Sequence, residues 1–530
     1  MNKVIHCFVS LLVLCSINCV AQTAATITVD TTNIIAGIDS TMVGFSFNPT
    51  YIGMNFSSNY NGSNSRLITN NLFRNFYPYQ QPTIRINGTN NSYWSNGSFS
   101  SAPSSYNNNA GVFACAYCPL GVPSMNTSVT TGDVNNVKLF VADLQYKPTL
   151  LWGLNFSVID TARISDNCAA VKSALSTATN LSFEIGNEPD LYLSSGKRLS
   201  GYDYTGYLAE FNFVADKVKH YGKIAAPVLG KPNPTSSGSW AGSLSSIISS
   251  IGASNLSTVT FHDYPLGSAA SGTLSGFLNK YLSDSYTNDD VSNASTGLKP
   301  SIQTTLQNNL SFRLAESNTL SNGGMQGVSN TMGSALWGID MMFELAKANS
   351  SGINFAIDGG STNYYSPFTF NSSLVVSGSK VLVNPLYYGA LLFARAAQNK
   401  GTIISNTVSG LSNSPNIKVW SVMDHARIVR VLIINRGNSI TDNTDGNFTI
   451  SLPGNTNNGY LYKLSADATP NLQSTAVTLA GQKVDANTGN LSGTLTRATV
   501  TPSSGNYTVT VPAGTAALFE ILSVSCNCNN

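Results

Sequence analysis

Charge is scarce in this chain. Only 10% of its 530 residues are Asp, Glu, Lys or Arg, and the formal net charge is +2. Such a balance gives no basic stripe for nucleic acid or for a highly sulfated polymer. Long apolar runs are also missing. The stretch from Val4 to Leu14 is too short to cross a bilayer, which takes about 20 apolar residues. Behind Lys3 and ahead of the small-residue site Cys19-Val20-Ala21, it reads instead as a signal peptide over residues 1–21. Cleavage leaves Gln22 first and a mature charge of +1, in a chain that is secreted or periplasmic. A lipid anchor is the lesser reading, because Leu14 and Asn18 stand where lipid attachment prefers a small residue. Cysteines number eight, and three leave with the leader. In an exported chain Cys115-x-x-Cys118 and Cys526-x-Cys528 favour disulfides over zinc, with the pairing open. Cys168, in a helical stretch, reads as a buried thiol. Disorder is excluded by 42% hydrophobic and 10% aromatic residues.

What is present is alternation. Short β-branched and aromatic runs at 43–48, 83–87, 149–154, 181–186, 223–228, 258–264, 311–316 and 353–358 predict strands. Helical patterns at 134–146, 161–177, 204–221 and 332–350 separate them, the last with Met332, Leu336, Ile339, Met342, Phe343 and Ala346 on one stripe. Eight strands alternating with helices predict an α/β fold, a (β/α)8 TIM barrel over residues 41–384. The polar stretches 100–132 and 284–307 read as irregular insertions at the barrel loops. From residue 385 a last helix, 386–397, leads into short alternating strands at 416–422, 427–434, 447–452, 459–464, 474–479, 506–511 and 516–524. These predict a C-terminal β-sandwich domain, 385–530. Residues 22–40 carry a strand at 26–36, expected as an edge strand of that sandwich.

Two carboxylates carry the chemistry. Ser182 through Asp190 (SFEIGNEPD) runs a strand directly into Asn187-Glu188-Pro189, so Glu188 falls at the C-terminal rim of the fourth strand, where barrel enzymes keep catalytic groups. Alone, this pattern fits a strand end with a surface glutamate. Phe312-Arg313-Leu314-Ala315-Glu316 adds a second glutamate at the end of the seventh strand, across the barrel from the fourth. Two such groups can flank a glycosidic bond, one protonating the leaving oxygen and the other attacking the anomeric carbon. That work needs Glu188 protonated and Glu316 ionised, and it needs no metal or organic cofactor.

The Glu184-Ile185-Gly186-Asn187-Glu188-Pro189-Asp190 strand end resembles the acid/base motif of glycoside hydrolase family 79, the heparanase and β-glucuronidase family. Glu316 through Gly323-Gly324, Gly327-Val328-Ser329 and Ala335-Leu336-Trp337 is similar to its nucleophile loop and following helix. Arg85-Ile86-Asn87-Gly88-Thr89 resembles its second strand, His262-Asp263-Tyr264 its sixth strand end, and Gly360 through Asn363-Tyr364 its eighth-strand loop. The resemblance runs from about residue 40 to 400 and implies a retaining mechanism. It also implies sugar contacts from Asn187, Tyr364, His262, Tyr264, Thr89, Arg85, Gly323 and Gly324. Ser321 stands where the family carries a tyrosine.

The duller roles remain open beside these. Arg85 can pair with a rim carboxylate to hold the barrel, and His262 can be a satisfied core histidine. Tyr387 and Tyr388 read as packing. The expected function is a secreted retaining β-glycosidase, β-glucuronidase-like, acting on an oligosaccharide or polysaccharide, with no nucleic-acid partner, no membrane span and the oligomeric state open. The alternatives are a retaining barrel enzyme for arabinosides, xylosides or glucosides, and a carbohydrate-binding protein without catalysis.

Overall fold

A computed structural model describes residues 23–104, 115–119, 121–122, 124–268, 273–360, 363–371, 373–410, 416–437, 446–466 and 471–522. Residues 1–22, where the signal peptide was expected, and the Cys526 and Cys528 pair lie outside these residues.

Eight parallel strands close into a barrel in chain order: Val43–Phe47, Thr83–Ile86, Thr149–Leu154, Asn180–Ile185, Lys223–Leu229, Leu256–Asp263, Ser311–Ser317 and Gly352–Ile357. Each coincides with an expected strand. Phe45, Ile84, Trp152, Phe183, Phe261 and Phe355 are buried, as strands must be when a filled lumen lies on one side and helices on the other. The helices start at polar caps. Thr130 and Asp133 form a reciprocal capping box for Thr131–Ala142, while Asp160 and Asp203 cap Thr161–Leu175 and Tyr204–Val218.

Helix Met332–Lys347 departs from its expected single stripe. It is buried on every face from Met332 to Ala346, because the C-terminal domain covers the side turned away from the barrel. There Trp420 donates its indole N–H to Asp340 at 2.8 Å and stacks on Phe343, and Lys418 pairs with Glu344 at 2.9 Å. The insertion expected to be irregular at 284–307 instead forms two helices, Asp284–Ser292 and Lys299–Gln307. Their Asp, Asn, Ser and Thr content lowers helix propensity and hides the pattern.

Beyond helix Pro385–Ala396 the chain forms a ten-stranded mixed sheet that folds over on itself as a β-sandwich. Ile27, Ile433, Phe448, Tyr507 and Phe519 meet between its halves, with the Tyr507 and Phe519 rings 5.0 Å apart. Strand Thr23–Gly37 is interior to this sheet, not an edge. It pairs antiparallel with Thr402–Ser409 on one side and parallel with Gly446–Ser451 on the other. Tyr387 and Tyr388 are packing residues, as expected: Tyr387 donates to the Leu72 carbonyl at 2.7 Å, and the Tyr388 hydroxyl accepts from Val484 N–H at 2.9 Å. Cys115 and Cys118 are joined as a disulfide, so neither is a zinc thiolate, and Cys168 is a free, buried thiol.

Candidate active site

The chain leaves the fourth strand at Ile185 and turns through Gly186, at φ 87°. Glu188 itself sits in the left-handed region at φ 53°. That conformation costs a non-glycine residue roughly 1–2 kcal/mol, so its surroundings must impose it. They do so from the end of the fifth strand. Glu188 N–H donates to the Val228 carbonyl at 3.0 Å, and the Asp190 carboxylate accepts from Gly230 N–H and Lys231 N–H, each at 2.8 Å. Gly230 lies so close that a β-carbon there would stand 2.9 Å from Glu188 Cγ.

Glu316 is aimed by an irregularity. Leu314 pairs with Phe261 and Glu316 with His262, so Ala315 is an extra residue bulged into the seventh strand. Such a bulge re-aims the side chain that follows it. Glu316 accepts from Tyr264 hydroxyl at 2.7 Å, Arg85 Nη1 at 2.7 Å and Asn87 Nδ2 at 3.4 Å. Burial pushes the Glu316 carboxyl upward, yet His262, Arg85 and Tyr264 together outweigh it and bring the group down to about 2.

Arg85 links the whole floor. Fully buried, it holds Glu184 through Nε at 2.5 Å, Ser46 and Glu316 through Nη1, and the Asn187 side-chain oxygen through Nη2 at 3.1 Å. It therefore combines the two roles open in the sequence, bracing the barrel through Glu184 while touching Glu316. His262 is fully buried, and its Nδ1 meets Glu188 Oε1 at 2.9 Å. An oxygen of Glu188, an oxygen of Glu316 and a ring nitrogen of His262 lie within 4.8 Å of one another. The two glutamates open onto a cleft of about 650 Å³ with Leu191, Lys231, Tyr264, Ser321, Asp358 and Tyr365 among its lining residues.

Arg85, His262 and Tyr264 thus converge on the two glutamates and Asn187 on Arg85, while four expected contacts stand elsewhere. Tyr365, not Tyr364, lines the cleft, its ring 6.3 Å from that of Tyr264. Tyr364 gives its N–H to the Gly323 carbonyl. Gly323 and Gly324 shape their loop at φ 85° and 78°, and Ser321 and Asn322 face the cleft in their place. Thr89 turns its carbonyl to Ser92 and does not line the cleft. Asp263, Asp290, Asp358 and Lys231 line the cleft without having been singled out.

Residues 419–518 match the family described as "Glycosyl hydrolase family 79 C-terminal beta domain". Over these residues the C-terminal domain is similar to that family's β domain. This bears out the resemblance read from the sequence. The matched segment contributes Trp420, next to Lys418, to the cover over Met332–Lys347, the helix that follows the Glu316 strand. No curated protein matches the chain. Among solved structures, a 4-O-α-L-rhamnosyl-β-D-glucuronidase from Fusarium oxysporum 12S is similar, with TM-score 0.70 and 18% identity over 94% of this chain and 100% of that one. A family 51 α-L-arabinofuranosidase from Bifidobacterium longum aligns at TM-score 0.59 and 14% identity, over 94% of this chain and 99% of that one. A family 44 xyloglucanase from Paenibacillus polymyxa aligns at 0.57 and 11%, over 94% and 100%. At these identities the likeness is one of fold.

Proposed function

We propose that the protein is a retaining β-glycosidase of the β-glucuronidase-like kind, with Glu188 as acid/base and Glu316 as nucleophile. One observation carries the reading: oxygens of the two glutamates lie within 4.8 Å of each other at the rim of a sugar-sized cleft. Retaining enzymes hold their carboxyl groups about 5–5.5 Å apart, whereas inverting enzymes leave about 6.5–9.5 Å for a water. The surroundings support the division of labour. Tyr264 and Arg85 favour the anion on Glu316, as a nucleophile needs. Glu188 instead faces the His262 ring, a partner able to pass a proton either way as Glu188 alternates between acid and base. Glu316 attacks the anomeric carbon while Glu188 protonates the departing oxygen. Glu188 then draws a proton from water, which releases the sugar from Glu316.

The resemblance and the glucuronidase among the similar folds make a β-glucuronide the first substrate to test. Ser321 in place of a tyrosine favours a second reading, a neutral β-glycoside handled by the same two glutamates. Export follows from the leader at 1–21, and a secreted protein beginning at Gln22 by mass spectrometry tests it. The catalytic test is a panel of aryl β-glycosides, glucuronide included, with wild type, Glu188→Ala and Glu316→Ala. Turnover lost in both variants, with azide rescuing Glu188→Ala to a β-glycosyl azide, is the expected result. Activity untouched by either substitution removes the assignment, and an α-azide refutes retention.

A further inference from the structure

Asp190 lies two residues beyond Glu188 and has no step in the mechanism above. It is 7% exposed and is not among the described lining residues of the cleft. What it holds is backbone. Its Oδ1 accepts from Gly230 N–H and its Oδ2 from Lys231 N–H, each at 2.8 Å. Two neighbouring N–H groups call for two acceptor oxygens on one side chain, and an ionised carboxylate supplies both. An asparagine would accept from one and turn its own NH2 against the other.

The segment gripped in this way is the one that shapes Glu188. Strands Asn180–Ile185 and Lys223–Leu229 pair in regular register only as far as Glu184 and Ala225. Beyond that point the fifth strand is irregular. Pro227 pairs with Thr260 and Leu229 with Phe261, which leaves Val228 as an extra residue in the strand. Val228 sits at φ 60°, where a β-branched residue is rarely found, and its carbonyl accepts from Glu188 N–H. Glu188, at φ 53°, is its counterpart on the fourth strand's side. Two residues in a disfavoured conformation are therefore hydrogen-bonded to each other. Such conformations persist only where the surroundings over-determine them. Asp190 supplies that restraint at Gly230 and Lys231, directly after the irregular stretch. Gly230, with no side chain, then lies against Glu188: a β-carbon there would stand 2.9 Å from Cγ and 3.0 Å from the carboxyl carbon. The clamp thus fixes the wall against which the Glu188 carboxyl rests, 2.9 Å from His262 Nδ1.

We infer that Asp190 is a positioning residue for acid/base catalysis, acting through Glu188 by locking residues 228–231 against it. The inference rests on the assignment of Glu188 as acid/base and adds a residue to it. A phenolate leaving group needs protonation as it departs, whereas 2,4-dinitrophenolate leaves without it. The expected signature is a loss graded by leaving group. Asp190→Ala lowers kcat/KM for a phenyl β-glycoside on the order of tenfold or more, and leaves the 2,4-dinitrophenyl glycoside of the same sugar within about threefold of wild type. Glu188→Ala shows the same grading more steeply. Adding Asp190→Ala to Glu188→Ala costs the phenyl glycoside nothing further, because the group being positioned is already gone. Equal losses for both leaving groups, or a further loss in the double variant, make Asp190 a support of the barrel at large and overturn the inference. Grading in Glu188→Ala without grading in Asp190→Ala overturns the inference alone. Grading absent from both removes the acid/base reading and the inference with it. Thermal melts report folding, and Asp190→Asn, which keeps one of the two acceptors, takes the place of the alanine variant if that does not fold. A crystal structure of Asp190→Asn needs no substrate. Glu188 is expected outside the left-handed region with its carboxyl off His262, and a Glu188 that has not moved overturns the inference.

Discussion

Replacing Tyr264 by Phe removes a single hydroxyl, the one that donates to Glu316 Oε1 at 2.7 Å, and leaves Arg85 and Asn87 in place. Burial first and the Glu316 charge second hold the phenol well above its ordinary range, so Tyr264 remains a donor throughout the working pH. A hydrogen bond to an ionised group contributes about 1.5–3 kcal/mol. Divided by about 1.4 kcal/mol per pKa unit, its loss raises Glu316 by roughly one to two units from its position at about 2. Glu316 attacks only as the anion, so kcat/KM falls as pH drops through this value, and the acid limb moves upward in the variant. For a shift to about 3.5, roughly a quarter of the variant is ionised at pH ~3 against about nine-tenths of wild type, a further loss of about fourfold there. Stability follows the same sign. Glu316 is depressed in the folded protein, so its contribution is full above the unfolded value of roughly 4.3 and is lost as pH falls toward about 2. The variant narrows that window from below. A kcat/KM profile on an active aryl glycoside, with melts at each pH, measures both effects. An acid limb unmoved in a folded Tyr264→Phe protein refutes the reasoning that this hydroxyl holds Glu316 ionised.

Gly230→Ala drives a β-carbon against Glu188. It is expected to lower kcat at least about tenfold, since small displacements of catalytic groups are costly, with little change in thermal midpoint. Trp420→Ala empties the contact between Phe343, Asp340 and the C-terminal domain, and denaturant titration should register a loss of about 3–5 kcal/mol. Asp190 is held up at about 6, first by burial. Its contribution to stability is therefore present below its unfolded value of roughly 3.9 and fades as pH rises through about 6. Asp190→Asn should flatten that part of the melting-temperature profile, and an unchanged slope assigns it to other groups.

The barrel was legible because its strands need residues that fill two faces. Runs such as TLLWGL and INFAID carry that requirement openly, and their ends at Gly, Asn, Asp or Glu mark the rim. Glu188 and Glu316 could be found because each closes such a run. The helix Asp284–Ser292 could not be seen, since its Asp, Ser, Thr and Asn residues carry no apolar stripe. Asp290, which lines the cleft, was lost with it. Tyr365 was mistaken for its neighbour because one residue of loop register decides which ring turns inward, and loop register has no period to read. Arg85 could be selected, yet not its simultaneous hold on Glu184 and Glu316, which only closure of the barrel creates.

The position of Thr23–Gly37 in the sheet bears on how the chain acquires its shape. Emerging first, this strand must wait for residues 402–409 and 446–451 before either of its edges is satisfied. The entire barrel is synthesised in the interval. Ladders between such distant segments form slowly, and open edges invite pairing with other chains. A stalled or clipped polypeptide lacking its last hundred residues would end before 446–451 and leave one edge of this β-branched strand open. The strand ahead of the barrel and the sheet behind it are thus fastened together, and synthesis through residue 451 is itself a condition for closing this sheet.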